Sequence, residues 1–135
     1  LETIYACLQQ TDAYQAVGHI DYPSKGCPYP QKALQYADAP DVIDALFRLV
    51  IQKGKCIEIN GSVLTRLGKQ QPDLALYRRY VALGGEYVTF GSDAHTPQAL
   101  AQQFIRIKAV AETVGIRYAV TFSQKEPSFH AISSL

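Results

Sequence analysis

The sequence has no methionine, and it opens at Leu1 straight into apolar residues at helical spacing, Ile4 and Leu8. An initiator is missing, so the expectation is a piece of a longer gene product. Cysteine is scarce: Cys7, Cys27 and Cys56 form an odd set without a CxxC pair, which argues against a disulfide framework and a structural zinc site. Cys7 and Cys56 read as core filler, and Cys27 as a thiol in a Gly/Pro loop. No apolar run approaches the roughly 20 residues needed to cross a bilayer, and no charged-then-apolar leader is present. The expectation is a soluble, cytoplasmic protein without a membrane partner. Charge of one sign is also lacking. With 13 Lys and Arg against 12 Asp and Glu, the net charge is +1, so no basic face offers itself to nucleic acid or anionic lipid, and a small polar ligand fits better.

What is present describes a folded chain. Its 135 residues are 47% hydrophobic and 19% charged, a globular composition within the size of one domain, here taken as 1–135. A short apolar run, Ala16 to Ile20, suits a buried strand, and Tyr22 to Pro30 is punctuated as a loop. Val42, Ile43, Ala45, Leu46, Leu49 and Val50 recur at spacings of three and four; Pro40 suits the start of that helix and Gly54 its C-terminal cap. Cys56 to Asn60 then reads as a strand, Pro72 to Leu83 as a helix closed by Gly84 and Gly85, and Tyr87 to Phe90 as another strand. Pro97 to Val114 reads as one long helix ended by Gly115, and Arg117 to Phe122 as a fourth strand.

Strands alternating with helices imply βα units on a parallel sheet. Four units are too few for an eightfold barrel of about 250 residues. They make roughly half of one. An open flavodoxin-like sheet competes, but no Gly-rich phosphate fingerprint follows any strand.

Polar residues gather at the expected carboxyl ends of the strands, where the catalytic face of parallel α/β folds lies. The first strand ends in Gly18-His19-Ile20-Asp21, the second carries Glu58 and Asn60 before Ser62, and the third runs into Gly91-Ser92-Asp93-Ala94-His95. Imidazole and carboxylate suit Zn²⁺, Mn²⁺ or Fe²⁺, and a divalent centre suits a phosphate ester, whose remaining charge Lys25 or Arg66 can neutralise. Each residue has a plainer reading. His19 beside Asp21 can be a satisfied structural histidine, and Ser92, Asp93 or Thr96 can cap the helix at Pro97. Capping does not explain His95. Glu58, opposite in pleat to Ile57 and Ile59, should point into a barrel, where an unpaired structural role is costly. His130 reads as a surface or packing residue.

The segments Val17-Gly18-His19-Ile20-Asp21-Tyr22, Cys56-Ile57-Glu58-Ile59-Asn60-Gly61-Ser62 and Phe90-Gly91-Ser92-Asp93-Ala94-His95 resemble the later motifs of the polymerase-and-histidinol-phosphatase (PHP) superfamily. The ending Tyr118-Ala119-Val120-Thr121-Phe122 through Pro127 and His130 does so as well. These stretches occur in family order and look most like histidinol-phosphatases. The resemblance implies a distorted (β/α)7 TIM-like barrel, a trinuclear divalent metal centre and hydrolysis of a phosphomonoester such as L-histidinol phosphate in histidine biosynthesis. By motif match, His19, Asp93 and His95 would be metal ligands, with Asp93 and His95 at the catalytic centre. Glu58 would be a ligand or stand behind the ligands, and Lys25, with Arg66 more weakly, would face the substrate phosphate.

The family opens with a His-x-His pair on its first strand, and everything before the Gly-His motif is missing here. The expectation is therefore an inactive C-terminal half, its metal affinity steeply lowered by the missing ligands, that self-associates or pairs with the absent N-terminal half. Two alternatives stand beside it. One is a non-catalytic half-barrel that assembles or binds a partner. The other is a related phosphoesterase acting on nucleotides or nucleic acid, which the lack of a basic surface disfavours.

Overall fold

A computed structural model describes residues 1–22, 34–61 and 73–135. Helix α1 (Glu2–Gln9) precedes strand β1 (Ala16–Val17), and a 3₁₀ turn at Tyr36–Asp38 leads into α2 (Pro40–Gln52). Strand β2 (Cys56–Asn60), α3 (Leu74–Ala82) and β3 (Tyr87–Gly91) follow, then a 3₁₀ turn at Pro97–Ala99, α4 (Phe104–Val114), β4 (Tyr118–Ser123) and β5 (Glu126–Ala131). The strands lie in sequence order in one five-stranded sheet. β1 to β4 pair in parallel and β5 returns antiparallel along β4. This is the parallel half-barrel that the alternating pattern implies, with one reversed strand added at its edge.

Helix α2 shows how the local sequence makes these elements. Pro40 stands in its first turn, where a missing N–H costs nothing, and Ile43, Leu46, Phe47 and Val50 form the buried stripe. The chain turns away at Gly54, whose φ of 64° is easy only for glycine. Asp73 caps α3 by accepting from Ala75 N at 2.9 Å.

Val17, Ile57, Ile59, Val88 and Ala119 meet the helices in one core cluster with Leu46, Phe47, Tyr80, Ile107 and Ala111. Full burial of each large apolar side chain contributes about 1.5–3 kcal/mol relative to exposure. In the register Ile57 pairs with Val88 and Glu58 with Thr89. The alternating positions Glu58, Tyr87, Thr89, Tyr118 and Phe129 consequently face away from the helices.

Four expectations change. The strand expected over Ala16–Ile20 ends at Val17, because the backbone turns left-handed at His19 (φ 52°). The long helix expected from Pro97 is broken. Leu100 is extended, Ala101 has φ 61°, and α-helix starts only at Phe104. No side chain in 97–103 is fully buried, and packing rather than propensity sustains short helices. β5 went unread because Glu126-Pro127-Ser128-Phe129 is polar and broken by proline; it becomes a strand by pairing with β4. Finally, Cys7 is exposed rather than core filler. Cys56 is buried, and burial pushes its thiol up to about 12.

Candidate functional site

The ends of β1, β2 and β3 lie side by side, because Ala16 and Val17 pair with Cys56 and Ile57, and Asn60 pairs with Gly91. Three of the expected residues meet there. His19 Nε2 lies 3.8 Å from Asp93 Oδ1, with side chains 40% and 28% exposed, so the pair faces solvent without being fully solvated. Glu58 Oε2 accepts the His19 backbone N–H at 3.2 Å and the Asn60 side-chain amide at 3.2 Å.

Both His19 and Asp93 have positive φ, 52° and 51°. Two side-chain-bearing residues in that region on facing loops are uncommon, and strained backbone of this kind concentrates at functional sites. The Tyr22 ring meets the His19 ring edge to face, with centroids 6.0 Å apart.

The fourth residue stands apart. His95 is exposed, and its Nδ1 lies 2.9 Å from the Asp93 carbonyl oxygen. Lys25 and Arg66 lie outside the described residues, as do Ser62 and Cys27. His130 is exposed on β5 and pairs with Thr121 Oγ1 at 3.0 Å, a surface role as expected.

Three further residues have roles here that the sequence alone did not assign. Asn60, buried at 4% exposure, anchors Glu58. Gly91 makes room for the Glu58 carboxylate: a Cβ there would stand 1.9 Å from Oε1. Tyr77 on α3 is buried, and burial first, then the nearby Asp21, Glu58 and Asp73 carboxylates, push its phenol above the ordinary value. It stays protonated at neutral pH. Its place in a helical apolar pattern was legible; the carboxylates around it were not.

The donor types at His19 and Asp93 suit a divalent ion. Among the described residues, however, no group of three or more His, Cys, Asp or Glu is arranged to hold one. A first-row ion held by protein takes three or four such ligands. Two such donors fall short of that number.

No protein-family model matches the chain. A probable histidinol-phosphatase of Clostridium acetobutylicum is 29% identical over 116 residues, covering 86% of this chain and 46% of the relative. The histidinol-phosphatase of Lactococcus lactis is 26% identical over 125 residues, covering 90% and 46%. A probable histidinol-phosphatase of Thermotoga maritima is 28% identical over 112 residues, covering 83% and 46%. A crystal structure of the Lactococcus lactis histidinol phosphate phosphatase, complexed with zinc, L-histidinol and phosphate, superposes with a TM-score of 0.75 at 22% identity. It covers 92% of this chain and 47% of that one. The chain spans about half the length of the curated relatives it matches.

Fold and strand-end residues together define a class: one side of a TIM-like barrel with polar groups collected at the carboxyl ends of its strands. Within that class, the chain is homologous to the C-terminal half of the histidinol-phosphatases.

Proposed function

We propose that the whole protein is a metal-dependent phosphatase that hydrolyses L-histidinol phosphate, and that these 135 residues supply one side of its active site without turning over alone. The observation that carries this reading is the His19–Asp93 pair, held 3.8 Å apart across two strand ends. It lies in a chain 29%, 26% and 28% identical to three histidinol-phosphatases. His19 and Asp93 would hold part of a divalent ion's coordination shell, with His95 beside Asp93, and such an ion polarises a phosphoryl oxygen and lowers the pKa of bound water. Lys25 and Arg66 complete the assignment as cations for the phosphate. The balanced net charge of +1 favours a small ester over nucleic acid.

The sheet face turned from the helices supports pairing with the other half of a barrel. Tyr87 and Tyr118 close on Phe129 there, with ring centroids 5.1 and 6.2 Å apart, and Phe129 remains 52% exposed. An aromatic cluster left open to water is the kind of surface that a partner covers.

The test is phosphate release from L-histidinol phosphate with added Mn²⁺ or Zn²⁺, together with elemental analysis. The expected result is turnover and bound metal in the longer protein, both lost in Asp93→Ala, and neither in the present chain alone. Turnover by this chain alone would overturn the half-site reading, and a metal-loaded longer protein that releases no phosphate would overturn the substrate.

A further inference from the structure

Glu58 is more enclosed than a residue presented only to an open face. Its Oε2 accepts two hydrogen bonds, from the His19 N–H and the Asn60 amide, each at 3.2 Å. The same oxygen lies 3.1 Å from where a Cβ on Gly18 would be, and Oε1 fills the space a Cβ on Gly91 would need. One carboxylate therefore lies across the ends of β1, β2 and β3, lodged between two glycines that leave it room.

What it grips is the backbone of the residue that bears the imidazole. His19 sits at φ 52°, a conformation disfavoured for any residue with a Cβ, so something around it must hold it there. Its ring does not supply that hold through its inner nitrogen. His19 Nδ1 is buried and, among the described residues, makes no hydrogen bond. In metal-binding histidines that nitrogen usually carries the orienting contact. Here the orienting contact is one step removed, at the amide.

We propose that Glu58 is a positioning residue rather than a ligand: by accepting the His19 amide it maintains the left-handed turn that aims the imidazole at Asp93. The proposal deepens the phosphatase reading, and rests on it only for the role of the His19–Asp93 pair. Asn60 holds the carboxylate in its pose, and the hydrogens at positions 18 and 91 are the space it requires. Gly91→Ala is the informative change, because it leaves every polar group in place and displaces only the end of a flexible side chain.

The experiment is amide hydrogen exchange by NMR on the present chain, which needs neither metal nor substrate, with the β3 amides as controls for the fold. Glu58→Gln retains an acceptor and should keep His19 protection to within about threefold, whereas Glu58→Ala and Gly91→Ala should each lose it by about tenfold. If Glu58→Ala also exposes the β3 amides, Gly91→Ala decides the matter. A protected His19 amide in Gly91→Ala with native β3 protection overturns the proposal. So does loss of metal from Glu58→Gln in a longer protein that otherwise binds it, since that is the behaviour of a ligand. A wild-type longer protein that takes up no metal would instead overturn the phosphatase reading and leave the amide result standing.

Discussion

Arg79 on α3 donates to Asp44 on α2 through both Nε, at 2.8 Å from Oδ1, and Nη2 to Oδ2. Tyr36 joins them. Its hydroxyl donates to Asp44 Oδ1 at 3.2 Å, its ring lies 5.8 Å beneath the guanidinium, and its N–H reaches Asp73 Oδ2 at 2.7 Å. Two helices and the turn before α2 thus share one fork-shaped contact.

That contact has a pH signature. The Arg79 hydrogen bond, ahead of the smaller help from Tyr36, holds the Asp44 carboxyl below its ordinary 3.8 despite partial burial. A depressed carboxylate contributes stability that is present above its unfolded pKa and lost as pH falls through the folded value. Asp44→Asn should cost roughly 1–2 kcal/mol near neutral pH. Paired urea titrations should show this difference shrinking below about pH 4.

The hairpin joining β4 to β5 turns through Gln124 and Lys125, with φ of 51° and 72°. Two consecutive left-handed residues between Ser123 and Glu126, the last paired positions, make the turn that Asn-Gly forms with least strain. The double change Gln124→Asn, Lys125→Gly should raise stability by about 1 kcal/mol, read as a higher midpoint in thermal unfolding. An unchanged or lower midpoint would mean the turn is not strained.

Gly85 lies flat against Tyr80. A Cβ there would come within 2.2 Å of the ring, which is itself held by a 3.0 Å hydrogen bond to Tyr87 O and packed edge-on to Phe47. Gly85→Ala should destabilise by about 1–3 kcal/mol in chemical denaturation. Adding Tyr80→Leu should recover part of that loss, since the clash disappears with the ring.

Phe129 tests the open face. Phe129→Ser should leave stability within about 1 kcal/mol, because the side chain is half exposed. Sedimentation velocity should show wild-type self-association that weakens in the variant. A wild-type chain that stays monomeric at high concentration would remove self-pairing and leave the other half of a barrel as the partner.

Much of this structure was legible because its cause is local. Cys56–Asn60 is a strand over the expected residues, α2 ends within a residue of expectation, and Gly54, Gly84 and Gly115 all have positive φ where a helix stops. Strand-end position alone brought His19, Glu58 and Asp93 to one place. The left-handed backbones at His19 and Asp93 were invisible because neither residue is glycine. The grip of Glu58 on the His19 amide joins residues 39 apart in sequence, and no periodicity reports a contact of that range. β5 and the break before Phe104 failed for the complementary reason: tertiary pairing and exposure overrode composition.

The two borders of the sheet bear on how this chain behaves in concentrated solution. Bare strand borders are templates for fibrous stacking. Here β1 offers a ladder of two residues, and β5 carries Glu126 and then Pro127, which has no N–H to donate. Both borders are poor seeds. Copies that meet should therefore do so face to face and reversibly, as soluble assemblies rather than as fibres.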